Sequence, residues 1–283
     1  MKRVLSLTLL AGIATASHAW VVNATGPIRS DSAVGGANND TIPATYNDPN
    51  AIFGQLSFRG DLTEVNTGTF ASEARWQIRN TGFPYAVNFQ PSTTGNFTGT
   101  ISVAATTGLF AWANTGNNFQ FEAFESFNDS GIDATWSNVE FNFSNATTTS
   151  LGNYTFGTNF TMDTFTSNFD TEIALYTSTG TKLAENDDSG GLQSQINPGV
   201  LAVGSYVLLA SGYNSTFVNG FAGAGTATGN LNLQVNGTTV YSGAHAASTF
   251  RAMTFNVVPE PGTMLALAGG LGALLMRRRR NAK

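Results

Sequence analysis

The sequence predicts an all-β chain: an antiparallel β-sandwich of jelly-roll type, as one large or two small sandwiches, with an N-terminal signal helix and a C-terminal hydrophobic helix outside it. Three observations support this. Apolar and polar residues alternate one by one in several segments, which puts one set of side chains on each face of a strand. Gly, Asn and Thr interrupt the chain every few residues, as short strands joined by tight turns require. Between the two ends there is no amphipathic pattern of helical period longer than about ten residues.

Residues 1–19 read as a signal peptide. Lys2 and Arg3 make a positive start, Val4 to Ala14 an apolar stretch, and Ser17-His18-Ala19 a small-residue cleavage site before Trp20. Export through the Sec translocon follows. Residues 20–50 read as an irregular leading segment, because Gly35-Gly36-Ala37-Asn38-Asn39-Asp40, Pro43 and Pro49 break regular elements.

Residues 51–150 form a first β region. Trp76 and Ile78 share one face, with Arg75, Gln77 and Arg79 on the other. Phe119, Phe121 and Ala123 alternate with Gln120 and Glu122, which places Glu122 on the solvent face. Val139, Phe141 and Phe143 alternate with Glu140, Asn142 and Ser144. Thr147–Gly152 is the boundary between this region and the next.

Residues 151–257 form a second β region. It runs from Phe169-Asp170-Thr171-Glu172-Ile173-Ala174-Leu175-Tyr176 through a turn at Gly180 and Lys182-Leu183-Ala184 to the acidic loop Glu185–Gly191. After a loop, Leu201 to Ala210 reads as a fully apolar strand. Leu231, Leu233 and Val235 alternate with polar neighbours, and Asn236-Gly237 suits a type I′ hairpin turn. The sequence D-T-x-I-x-L-Y, a turn glycine, L-A-x-N-D-D and G-S-Y is similar to bacterial pre-peptidase C-terminal-like domains. The resemblance covers about 60 residues. It implies a secreted, non-catalytic β-sandwich module.

Residues 258–283 begin with Val258-Pro259-Glu260-Pro261-Gly262, continue as an apolar run at 263–276, and close with Arg277, Arg278, Arg279 and Arg280. A terminal basic cluster is what the positive-inside rule demands of a chain whose body has been exported. The run is short beside the roughly 20 residues of a full span. Pro259-Glu260-Pro261, a Gly/Ala/Leu-rich helix and a terminal Arg cluster resemble the PEP-CTERM sorting signal of exosortase substrates. The resemblance covers about the last 25 residues. It implies transient anchoring in the inner membrane, processing by an exosortase, and delivery to the cell surface or to an exopolysaccharide matrix.

Composition narrows the chemistry. The 283 residues include no cysteine, which rules out disulfides and thiol chemistry, and only two histidines. Seven of the 13 basic residues lie at the ends, so Trp20–Gly262 holds six against all 18 acidic ones, a net charge of −12. Such a body is no nucleic-acid binder, since phosphate contacts need Lys or Arg.

Asp170, Asp187 and Asp188, beside Asn186, have metal-site character. Hard oxygen ligands in a Gly-rich loop suit calcium, and no other cofactor is expected. The competing reading is an Asx-type turn capping the loop's own amides. Glu122, Glu125, Asp129 and Asp133 could supply the acid and base of a glycoside hydrolase. Trp112, Trp136 or Tyr213 could stack on sugars, although core positions explain most aromatics. His245 has no sequence partner. Asn142, in Glu140-Phe141-Asn142-Phe143-Ser144, has the upstream acid that bacterial oligosaccharyl transferases favour.

The expectation is an exported, non-enzymatic surface or extracellular-matrix protein, sorted by an exosortase and associated with exopolysaccharide. A carbohydrate-binding module is the alternative, and behind it a glycoside hydrolase.

Overall fold

The computed structural model describes residues 20–46, 52–80, 86–112, 118–127, 132–260 and 262. The expected signal peptide, Pro261, the apolar run and Arg277–Arg280 lie outside them, as do both terminal helices. The first strands are β1 (Trp20–Ala24), β2 (Ile28–Ser30), β3 (Thr41–Thr45), β4 (Ile52–Glu64), β5 (Ala74–Asn80), β6 (Ala86–Phe89), β7 (Thr100–Thr107), β8 (Leu109–Trp112), β9 (Asn118–Glu125) and β10 (Ala134–Asn145). Then come β11 (Thr148–Thr155), β12 (Asn159–Asp163), β13 (Thr171–Thr177), β14 (Lys182–Asn186), β15 (Gln195–Val200) and β16 (Gly204–Gly212). The last are β17 (Thr216–Val218), β18 (Phe221–Gly223), β19 (Gly229–Val235), β20 (Thr238–His245) and β21 (Arg251–Val258).

These strands make four sheets. An eight-stranded sheet runs β1-β10-β4-β8-β18-β17, with β2 also on β10 and β7 also on β4, and faces a sheet of order β3-β9-β5-β6. A five-stranded sheet, β11-β21-β16-β13-β14, faces a sheet of order β15-β12-β19-β20. The chain is thus all-β, with antiparallel sheets packed face to face. One pair departs from that rule: β11 runs parallel to β21.

Alternation explains the first core. Trp76 and Ile78 of β5, Phe119 and Phe121 of β9, and Phe141 and Phe143 of β10 all point inward and are buried. Their rings interlock: Phe121 lies 4.5 Å from Phe141, and Trp76 meets Phe141 edge-on at 4.9 Å. The second core is more aliphatic, built on Ile173, Leu175, Leu208, Leu231, Leu233, Val235 and Met253. The expected hairpin joins β19 to β20. Asn236 and Gly237 both have positive φ, 50° and 72°, as a type I′ turn requires.

A third core lies between these two. Phe110 and Trp112 of β8 meet Ala174 and Tyr176 of β13, Val207 and Leu209 of β16, and Ala252 of β21. The hairpin β17–β18 leaves the second half of the chain and extends the eight-stranded sheet beyond β8. The five-stranded sheet is therefore covered on both faces, which is why β13 and β16 read as continuous apolar runs and not as alternations. Gly180 shows how tight the contact is. Its φ is +87°, and a Cβ there would lie 2.9 Å from the Trp112 ring.

The leading segment, expected to be irregular, supplies β1, β2 and β3. Trp20 anchors it among the rings of Tyr46, Phe53, Phe119 and Phe143, at 4.8–5.7 Å. Arg29 grips Asp40 through Nε at 3.1 Å and Nη2 at 2.8 Å, closing the loop between β2 and β3. Thr147–Gly152, the expected boundary, falls largely on β11.

Candidate functional site

The structure brings Asp170, Asp187 and Asp188 together. Each offers a carboxylate oxygen, and these oxygens lie within 4.8 Å of one another. Hairpin register is the cause. β13 and β14 pair Ile173 with Asn186, so the residue just before β13 and those just after β14 become neighbours at one end of the ladder. Backbone bonds shape the loop that carries the last two. Ser189 donates to the Gln193 carbonyl at 2.8 Å and Thr171 to the Leu192 carbonyl at 2.9 Å. The Ser194 hydroxyl lies against the carbonyls of Asp187 and Thr171.

The electrostatics are those of unneutralised like charges. Partial burial first, then the charges of Asp187 and Asp188, raise the Asp170 pKa above its ordinary value. Burial and Asp188 do the same to Asp187. Asp170 Oδ1 is buried without a hydrogen-bond partner. Among the described residues no donor bonds these three carboxylates. Of the residues in the turn-capping reading, Asn186 does cap an amide, its Oδ1 accepting the Gln195 N–H at 3.0 Å. Three oxygens converging on one point fit a hard divalent cation of the calcium type, with carbonyls or water completing its shell of about six to eight oxygens.

Glu172 joins this corner to the rest of the molecule. It is nearly buried and accepts the amides of Asn214 at 2.8 Å and Ser215 at 3.0 Å, where the chain turns toward β17. Burial pushes its pKa up to about 7, with Asp187 and Asp170 adding to the effect. Sequence reasoning missed Glu172, because a polar residue inside an apolar run carries no sign of what will cap it.

Of the carboxylates of the hydrolase alternative, Glu122 is not where alternation put it. Glu122 is 3% exposed, not on a solvent face, because the loop between β2 and β3 folds over it. Its Oε1 accepts the Gly35 amide at 2.5 Å and Asn39 Nδ2 at 3.1 Å, and its Oε2 accepts Arg79 at 2.9 Å. Glu125 and Asp133 are also buried, at 2% and 5%, and Asp129 lies outside the described residues. Of the aromatics considered for sugar stacking, Trp112 and Trp136 are core residues, whereas Tyr213 is exposed.

His245 is buried, stacked on Phe169 at 5.4 Å, and its Nε2 has no hydrogen-bond partner. Asn142 sits in the middle of β10, paired through its neighbours to both β1 and β4. An acceptor held in a central strand has to be reached before the sheet closes.

The outer face of the eight-stranded sheet carries a trough of about 630 Å³, whose lining mixes polar and charged groups with Val103, Ala104 and Val139. A bulge between Ser137 and Glu140, with Asn138 at φ +51°, aims Asn138 at Asp61. Asp61 accepts Asn138 Nδ2 and the Ser102 hydroxyl, each at 2.7 Å, and Arg59 pairs with Glu140 at 2.6 Å. No sequence signal marks the bulge. Pro259 and Glu260 of the expected sorting motif follow directly on β21, whose end is held by the Phe156 amide on the Val258 carbonyl at 2.7 Å.

No protein-family model matches the chain, and no curated protein does. Among solved structures it is similar to dimeric latent PorU from Porphyromonas gingivalis, at 10% identity over 82% of this chain and 22% of that one, with a TM-score of 0.27. It is also similar to a structure of botulinum neurotoxin type C that describes interaction with two ganglioside molecules. That match has 9% identity over 81% of this chain and 68% of that one, with a TM-score of 0.23.

Proposed function

We propose that this chain is an exported, non-enzymatic protein of the cell surface or extracellular matrix, sorted by an exosortase and associated with exopolysaccharide. In this reading the second sandwich is steadied by calcium at Asp170, Asp187 and Asp188. The observation that carries the sorting half is the junction at Val258. β21, the last of the described strands, ends inside a hydrogen-bonded sheet, and Pro259-Glu260 begin at the next residue, so a cut there leaves every described strand in place. The convergence of three carboxylates that no cation among the described residues pairs with supports the calcium half. The trough, which sets amide, hydroxyl and charged groups beside apolar ones, suits a polysaccharide, whose sugars present both hydroxyls and C–H faces.

Sorting is tested by expressing the full chain in a bacterium with an exosortase, and in the same strain without it. The tail is expected to be lost, and the protein released to the surface, only where the enzyme is present. An intact, membrane-held chain in both strains would make the tail a plain anchor. Calcium is tested on the same protein after chelation. Adding calcium is expected to raise its unfolding temperature, and the double change Asp187→Asn with Asp188→Asn to abolish most of that gain.

A further inference from the structure

A second group of carboxylates lies at one end of the first sandwich, and it differs from the Asp170 trio in being buried. Ser30 ends β2, Glu125 ends β9 and Asp133 directly precedes β10. Asp31 follows Ser30, and Glu73 precedes β5. Topology gathers them. Ser30 pairs with Ala134, Ala74 pairs with Glu125, and the Glu125 amide donates to the Ser32 carbonyl at 3.0 Å. Ser30 is 0% exposed, Glu125 2%, and Asp31 and Asp133 5% each.

The polar atoms of this pocket are incompletely used. Ser30 Oγ, Asp31 Oδ1 and Glu125 Oε1 are all buried without a hydrogen-bond partner. Asp31 uses its other oxygen to accept Asn38 Nδ2 at 2.9 Å, and Asp133 accepts Asn66 Nδ2 at 3.5 Å. The Ser30 hydroxyl is close enough to the Glu125 carboxyl to favour its charged form as a hydrogen-bond donor does, although Oγ and Oε1 do not reach hydrogen-bonding geometry. The charges acting on Glu125 are those of Asp133, Glu73 and Asp31, all of one sign. Buried carboxylates are ordinarily paired with a cation or hydrogen-bonded throughout. Here the unused atoms are a hydroxyl and two carboxylate oxygens from three separate residues, a donor set of oxygen alone.

We propose that this pocket is a second cation site, taking a calcium-type ion through Asp31, Glu125 and the Ser30 hydroxyl, with Asp133 beside it. Such an ion would bring positive charge to Asp31 and Glu125 and ligate the three unused atoms at once. Among the described residues, the exposed trio is the group of three carboxylates whose oxygens already lie within 4.8 Å of one another. The buried oxygens must therefore close around their ion, so occupancy tightens β2 onto β9 and β10.

The test is a calorimetric titration of the full chain, stripped with a chelator, using calcium chloride and in parallel magnesium chloride. The intact protein is expected to take two calcium ions. The Asp187→Asn, Asp188→Asn double variant should keep one, with the buried site's affinity unchanged. Glu125→Gln and Asp31→Asn should each keep the exposed site and weaken the buried one about tenfold or more, since fewer charged ligands mean weaker binding. Ser30→Ala, the mildest change, should weaken it less and carries the test with Asp31→Asn if Glu125→Gln does not fold. The proposal is overturned if binding by Glu125→Gln, Asp31→Asn and Ser30→Ala matches that of the intact chain. It is also overturned if the double aspartate variant binds no calcium, or if magnesium alone fills the pocket. Loss of the exposed site with the buried one intact would instead count against the calcium half of the proposed function.

Discussion

The two outer cores of this protein solve the same packing problem with different materials. The first, between the β3-β9-β5-β6 sheet and the eight-stranded sheet, interlocks rings: Trp76, Trp136, Phe58, Phe121 and Phe141. The second relies mainly on Ile173, Leu175, Leu208, Leu231 and Leu233, with a smaller ring cluster of Phe160, Tyr206 and Phe255 at one side. Their sheets also differ in what covers the far face. Much of the eight-stranded sheet turns its outer side to solvent, whereas the five-stranded sheet lies beneath Phe110, Trp112, Phe217 and Ala222. A strand shows alternation only where one face is wet, so the first half is easily read and the middle of the second is not. The comparison also shows where the halves depend on each other, at the third core.

The largest expected effect breaks that dependence. Trp112 is 1% exposed and 4.6 Å from the Tyr176 ring. Trp112→Ala should cost about 3–5 kcal/mol and split thermal unfolding into two calorimetric transitions, one for each outer core. A single transition with an unchanged midpoint would mean that the third core couples nothing. Gly180→Ala attacks the same seam from the other side. A forced left-handed conformation and a methyl group against the Trp112 ring should together cost about 1–3 kcal/mol, read from urea unfolding. A Gly180→Ala variant as stable as the parent would show that the seam yields.

A smaller effect separates the outer cores by pH. Burial, and then Arg251, hold His245 below its ordinary pKa of 6.5, so the unfolded chain takes up this proton first. The sign follows: stability is unaffected well above about pH 6.5 and falls as the pH drops through it toward the folded value. His245→Phe keeps a ring on Phe169 and removes that slope. Unfolding curves of the two proteins at about pH 7 and about pH 5 should diverge on the acid side; curves that stay parallel would remove His245 from the account. The smallest effect is on the wet face. Arg59 is 69% exposed in its pair with Glu140, and Arg59→Ala should change stability by no more than about 1 kcal/mol, less still in high salt.

Much of the fold was legible because alternation and turn chemistry are local. Trp76 with Ile78, Phe141 with Phe143, and the Asn236-Gly237 turn each follow from a few adjacent residues, and each stands as expected. The Asp170–Asp187–Asp188 group was legible for a related reason, since a short hairpin brings its ends together whatever else the chain does. Glu122 was misread by the same logic. Alternation assigns it a face but not what will later lie on that face, and Asn39 and Gly35 come from a loop more than 80 residues away.

By itself, the sequence determined the fold class, the strands that alternate with one wet face, such as β5, β9, β10 and β19, and the tight turn at Asn236-Gly237. These depend on side-chain chemistry at a period of two and on a few residues that accept positive φ. Only the tertiary structure decided that β17–β18 would join the other half's sheet, that Glu122 would be covered, and that Ser30, Asp31, Glu125 and Asp133 would be buried near one another at one end of the first sandwich. Burial of a polar group depends on what packs over it from distant parts of the chain, and no local pattern carries that information.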